Sequence, residues 1–253
     1  MRIAQKAIFG YIIAYSYVIS RFLRWYLQKH PLRNLRDTRN PRIWQVDEKQ
    51  VSILGITFWL MSVIDLTTEF IIVLKVFRSR TNENLANALR ESKRLVGRIP
   101  KVVETDAYRG YSKAVRRVFG DVTHWKAKKG EWYGINNLVE NFNSILEAWM
   151  KPHKSFHSLW TAQLIADGLW VQYNFVRKST SQYLLGQTRA ETAGFDLKLE
   201  KPWTELVSLA ERAALLGHIP RRMQPEPAKV QMEMDEYLPS PNAEQATPVP
   251  DAP

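Results

Sequence analysis

Apolar and polar positions alternate with a period of two through "IWQVDEKQVSIL", Ile43 to Leu54. This predicts a β-strand with Ile43, Gln45, Asp47, Lys49 and Val51 on one face and Trp44, Val46 and Glu48 on the other. Gly55 marks a turn. "ITFWLMSVID", 56–65, and "FIIVLKVF", 70–77, predict two more strands with short connections, an antiparallel meander. "TNENLANALRESKRLVG" then predicts a helix, with Thr81 as N-cap, an apolar stripe of Leu85, Ala88, Leu89 and Val96, and Gly97 as its stop. Next come a strand "KVVET", a helix "YSKAVRRVFG" and a short strand "DVTHW". A helix that crosses between strands implies parallel pairing back into the sheet. The clearest helical period is "NNLVENFNSILEAWM", 136–150, where Leu138, Val139, Phe142, Ile145, Leu146 and Trp149 share one side. Two further helices are expected near 155–177 and 203–217.

Three antiparallel strands, helix, strand, helix, strand, helix is the order of an α/β fold. The expected architecture is a ribonuclease H-like mixed five-stranded sheet flanked by helices, with an N-terminal helical segment and a disordered C-terminal tail. The expected division is an N-terminal helix and basic linker over 1–42, a core over 43–195, a helix over 196–222 and an acidic, Pro-rich tail over 223–253. The tail has too little apolar surface to offset the entropy of ordering it. Residues 7–23, "AIFGYIIAYSYVISRFL", read as a buried or docking helix. A membrane span needs roughly 20 apolar residues, and Arg21 and the serines dilute this run. Residues 24–42 are basic and punctuated by Pro, which reads as a linker able to lie on a polyanion.

Charge sharpens the picture. The chain carries +11, but residues 223–253 hold one Lys and six acids, which leaves +16 on residues 1–222. Such an excess points to nucleic acid as the partner. Cysteine is absent, which excludes disulfides, zinc-thiolate sites and thiol nucleophiles and fits a reducing compartment.

Three acids stand where chemistry could use them. Asp47 lies mid-strand, where a charge is costly unless paired or metal-bound. Asp106 ends the strand in "VVETDAYRGY". If the first and fourth strands are neighbours, the two carboxylates lie side by side, and a divalent cation relieves their repulsion. Glu140 points away from the apolar stripe of its helix. Each has a plain structural reading as well: an edge-strand acid for Asp47, a wet loop acid or helix cap for Asp106, a solvated surface acid for Glu140. Asp65, at the end of the second strand, competes with Asp47 as the first acid.

"WQVDE", "VVETDAYRGY" and "NNLVENF" resemble the DDE transposases of prokaryotic insertion sequences and, more distantly, retroviral integrases. Asp106 and Glu140 are 34 positions apart, close to the spacing of that superfamily. "VIDLTTEFIIVLKV", "YNFVRKS" (173–179) and "GQTRAETAGF" (186–195) resemble further pieces of the same core, in the same order. The resemblance covers about residues 43–195. It implies that Asp47, Asp106 and Glu140 are catalytic and bind two Mg²⁺ or Mn²⁺ ions, with no small-molecule cofactor. It leaves Asp65 structural. It implies phosphodiester cleavage and strand transfer on double-stranded DNA by a homo-oligomer in the prokaryotic cytoplasm, associated with the nucleoid. Residues expected to hold DNA are Lys113, Arg116 and Arg117 on one helix face, Lys126, Lys128 and Lys129 before the glutamate helix, Asn137 and Lys151. His124, His153 and His157 lack zinc spacing.

The chain departs from the family pattern at three places. Glu147 stands where the family usually has Lys or Arg and is expected to repel phosphate. Arg189 replaces a Pro. Forty-two residues precede the core, where such transposases carry a longer helix-turn-helix, so "YSYVISRFLRWYLQKHP" is read as a remnant of one. Two alternatives follow: a catalytically dead remnant that only binds DNA, and a protein anchored in a membrane through residues 7–23.

Overall fold

The computed structural model describes residues 2–36, 42–126, 137–150, 156–182, 184 and 186–219, without the side chains of 2–14, 36 and 137. Helix α1 (Arg2–Lys29) leads into β1 (Ile43–Ile53) and β2 (Ile56–Asp65). These two strands form an antiparallel hairpin. Its two-residue turn places Leu54 at φ 50° and Gly55 at φ 80°, a pair of positive angles that matches the twist of the strands. β3 (Ile71–Phe77) pairs antiparallel with β2. Helix α2 (Asn82–Val96) begins where the Thr81 hydroxyl accepts the Asn84 N–H at 3.2 Å and ends at Gly97, φ 71°. It carries the chain over to β4 (Val102–Thr105), parallel to β1. Helix α3 (Arg109–Phe119) leads to β5 (Thr123–Lys126), parallel to β4. The sheet order is β3-β2-β1-β4-β5, the mixed ribonuclease H-like sheet that the pattern predicts.

Helices α4 (Asn137–Met150) and α5 (Leu159–Val171) follow. α5 runs on as a π-turn over Gln172–Val176, then come α6 (Arg189–Thr192) and α7 (Pro202–Leu215). α5 is shorter than its apolar run suggested because Ser158 caps it, accepting the Thr161 N–H at 3.0 Å. β5 starts two residues later than expected.

The outer edge of β3 is closed by side chains of α5 and its π-turn. The Gln163 amide accepts from Val76 N–H at 2.9 Å and donates to the Leu74 carbonyl at 3.1 Å. The Asn174 amide does the same at Ile71, both at 2.9 Å, and the Trp170 indole N–H donates to the Ile71 carbonyl at 2.7 Å. A bare edge would recruit a foreign strand, and these amides occupy its polar groups. This gives Asn174 of "YNFVRKS" a structural reason.

Helix α1 continues through residues 24–29, which the charge pattern assigned to a linker. The reason is a sustained apolar stripe: Ile19, Phe22, Leu23 and Leu27 are buried. The charged side is matched as well. Arg24 pairs with Glu91 at 2.8 Å and Asp167 at 3.2 Å, and the Ser20 hydroxyl donates to Asp167 at 3.1 Å. Among the described residues no helix is long and apolar enough to cross a membrane. Residues 37–41 of the basic segment lie outside the described residues, as does the chain from 220 onward.

Candidate active site

β1 and β4 run parallel, and their last paired rung is Val46 with Thr105. Asp47 and Asp106 take the next position on each chain, as β4 gives way to a turn. Adjacent strands stand roughly 4.8 Å apart, so the two carboxylates leave neighbouring backbones at the same level. Each bears on the other. Burial pushes the Asp47 carboxyl above its ordinary value, and the charge of Asp106 adds to this. A hydrogen bond from Asn143, the Glu48 backbone N–H and the Arg80 charge oppose the rise. Asp106 is half exposed. Its Oδ1 accepts the Tyr108 N–H at 2.9 Å, a local turn that leads into α3.

Helix α4 is fastened to β1 by two polar contacts. The Asn143 amide donates to Asp47 Oδ2 at 2.8 Å. Four residues later Glu147 forms an ion pair with Lys49, two residues on from Asp47. Four helical residues rise about 6 Å and two strand residues about 6.6 Å, so helix and strand run side by side in the same direction. Glu140 lies one turn before Asn143 and is exposed. Glu147, which stands where the family usually has Lys or Arg, thus has its charge answered by Lys49.

Among the described residues, no three acidic or imidazole side chains stand close enough to form a ready-made metal cage. Asp47 and Asp106 nonetheless suit a divalent ion in their chemistry. They are hard oxygen donors, one of them largely buried, and the charge of Asp106 raises the cost of ionising Asp47. Mg²⁺ and Mn²⁺ favour such oxygen donors.

Two residues that the sequence did not single out complete the surroundings. Glu48, on the other face of β1, has a side chain only 3% exposed. It pairs with Arg80 and accepts the Tyr111 hydroxyl. Burial pushes its carboxyl up to about 7, against the pull of Arg80 and with the help of Asp106 and Asp47. Arg80 also reaches Asp106 Oδ2 at 3.9 Å. The only signal in the sequence was an acid in mid-strand beside Asp47; Arg80 gave none.

Asp65 is structural. It is fully buried, 3.4 Å from Arg42 Nη1, and accepts the Thr68 N–H and hydroxyl at 3.0 and 2.8 Å. His124 Nε2 lies 2.9 Å from the Thr105 hydroxyl. Arg189 fills the place of the family's Pro as a buried cation, 3.2 Å from Glu69 and stacked 4.1 Å over Tyr173. Thr188 and Glu191 form a reciprocal capping box there.

Of the cations expected to hold DNA, Lys113, Arg116 and Lys126 are exposed. Arg117 pairs with Glu83, which also holds Arg90 at 3.0 Å. Arg117 lines a cleft of about 530 Å³ with Arg90, Lys93 and Arg94. Lys128, Lys129, Lys151 and the side chain of Asn137 lie outside the described residues, as does His153.

The DDE domain family of IS240-type transposases matches residues 42–179. Among solved structures, the HTLV-2 integrase catalytic core domain in complex with magnesium is 17% identical, with a TM-score of 0.46 over 60% of this chain and 95% of that one. The catalytic core domain of BIV integrase is 15% identical, with a TM-score of 0.41 over 61% of this chain and 94% of that one. No curated protein sequence matches significantly.

Proposed function

The chain belongs to the DDE domain family of IS240-type transposases, and we propose that it cleaves and joins DNA phosphodiesters at the ends of an insertion sequence. Asp47, Asp106 and Glu140 are the acidic triad of this reading. The observation that carries it is that Asp47 and Asp106 each follow the last paired rung, Val46 with Thr105, of two parallel strands, with the glutamate helix tied to Asp47 through Asn143.

The three acids would hold two Mg²⁺ or Mn²⁺ ions. Such ions, when bound, supply an activated water or 3′-hydroxyl and stabilise the leaving oxygen. The chain's own residues do the rest. Burial around Asp47 reduces the screening of its charge by water. Asn143 favours the ionised form of Asp47, the form able to bind a cation. Tyr108 N–H aims one oxygen of Asp106. Lys113, Arg116, Arg117, Lys126, Lys128, Lys129, Asn137 and Lys151 would grip the phosphate backbone, giving affinity without sequence choice. No covalent bond between protein and DNA is needed. The working form is a homo-oligomer on the nucleoid, in the cytoplasm.

The test is a nicking and joining assay with Mg²⁺ on duplexes that carry the DNA flanking the reading frame. Native protein should nick and join, and Asp47→Asn, Asp106→Asn and Glu140→Gln should each abolish both. Nicking that persists in all three variants would refute the reading.

A further inference from the structure

We propose that Arg80 is a positioning residue for Asp106: its guanidinium, held by Glu48, keeps the Asp106 carboxylate oriented toward a divalent cation. The inference rests on the triad reading and adds to it the means by which the most exposed of its two strand acids is held.

Arg80 sits between β3 and α2, where no regular structure constrains it. A free arginine has considerable side-chain entropy to lose. Here the guanidinium is packed against two rings and paired at Nη2. Its guanidinium lies 3.9 Å from the ring centre of Tyr108 and 4.4 Å from that of Trp59. Its carbonyl accepts the Tyr108 hydroxyl at 3.0 Å. Its Nη2 pairs with Glu48, which the Tyr111 hydroxyl holds in turn. Its Nε is buried with no hydrogen-bond partner. The two rings and Glu48 hold the guanidinium so that Nη2 lies 3.9 Å from Asp106 Oδ2.

Tyr108 links the two ends of the arrangement. Its ring covers Arg80, its hydroxyl holds the Arg80 backbone, and its N–H bonds Asp106 Oδ1 at 2.9 Å. Oδ1 of Asp106 is thus hydrogen-bonded, and Oδ2 faces the Arg80 charge. Glu48 has a distinct part. An unbalanced guanidinium beside Asp106 would compete with any metal ion for the carboxylate. Nη2 is closer to Glu48 than to Asp106, so Glu48 takes the nearer contact of the guanidinium. What remains for Asp106 is orientation. Partners of this kind change metal affinity by about 10–100-fold without touching the ion.

The test uses the full chain without DNA and measures Mn²⁺ affinity by titration calorimetry, with thermal melting to show that each variant folds. Asp106→Asn should lose Mn²⁺ binding. Arg80→Lys keeps the charge but loses the planar stack, and should bind about tenfold more weakly. Tyr108→Phe removes only the hydroxyl and should weaken binding less. Glu48→Gln should weaken it because Arg80 is released onto Asp106, and adding Arg80→Gln to that variant should restore part of the loss. That recovery is the decisive sign, since a merely structural role or a metal ligand at Glu48 gives none. Native affinity in Arg80→Lys, Tyr108→Phe and Glu48→Gln, with Asp106→Asn unable to bind, overturns the positioning role alone. Native Mn²⁺ affinity in Asp106→Asn overturns the triad reading, and the positioning role with it.

Discussion

The side-chain amide of Asn143 donates a hydrogen bond to Asp47 Oδ2 at 2.8 Å across 96 positions of sequence. This bond joins the helix of the third acid to the strand of the first. Glu140 precedes Asn143 by three residues, about 4.5 Å of helical rise. The docking of the helix that carries Glu140 onto the strand of Asp47 therefore involves an uncharged residue.

Asn143→Ala should expose that dependence. The largely buried Asp47 carboxylate would lose its donor, and its pKa would rise further. Unfolding in urea at neutral pH should show a loss of about 2 kcal/mol, the scale of a hydrogen bond to a charged group. Mn²⁺ affinity should fall alongside. Unchanged stability would mean that the Asn143 hydrogen bond does not hold α4 to β1.

Lys49 and Glu147 give a second test. Glu147 is 64% exposed, so the pair should contribute at most about 1 kcal/mol to stability. Its effect on DNA should be larger. Glu147→Ala releases the Lys49 charge, and duplex affinity should rise, with the salt dependence steepening by about 0.9 in log–log slope. Glu147→Lys should raise affinity further, and Lys49→Ala combined with Glu147→Ala should return it to near the native value. Equal affinity in filter binding across all four proteins would show that this face never meets DNA.

On α3, Lys113 and Arg116 are exposed, while Arg117 is engaged by Glu83. Replacing Lys113 or Arg116 with Ala should lower the salt slope of duplex binding by about 1 each, uniformly across sequences. Arg117→Ala should lower it less, because Glu83 already answers that charge. A sequence-dependent loss would indicate base contacts instead.

The contact between α1 and the core has a pH signature. Burial pushes the Glu91 carboxyl up, but Arg24, Lys75 and Arg94 pull it down by more, to below its ordinary 4.5. A depressed folded-state value means stability that is present above 4.5 and lost as pH falls through the folded-state value. Glu91→Gln should cost about 2 kcal/mol at neutral pH, less than a fully buried pair because the site is partly wet. The gap to the native protein should close in acid. A gap independent of pH would show that packing, and not charge, holds α1.

The sheet was legible because its alternation is clean: Asp47 and Asp106 could be placed at one level once β1 and β4 were read as neighbours. Glu140 was legible as an exposed acid on a helix with a sharp apolar side. The contacts that organise these acids were not. Asn143 meets Asp47 only because α4 lies along β1, and no local period encodes that docking. Glu147 read as a charge reversal because its partner Lys49 is 98 positions away. Arg80 lies in a connection without period, and its role exists only where Trp59, Tyr108 and Glu48 converge. Arg189 read as a departure from the family, yet Glu69 and Tyr173 make it a buried structural cation. The linker over 24–29 was misread because its charges outweighed an apolar stripe that Leu23 and Leu27 continue.

The central claim is that Asp47, Asp106 and Glu140 form one metal site. Anomalous difference density from a crystal grown with Mn²⁺ tests it most directly. The predicted result is a peak between the Asp47 and Asp106 carboxylates, with oxygens within roughly 2.0–2.6 Å, and Glu140 turned toward the same centre. Carboxylates of Asp47 and Asp106 too far apart for a single ion to touch both, or Mn²⁺ bound elsewhere with this pair bare, would contradict it.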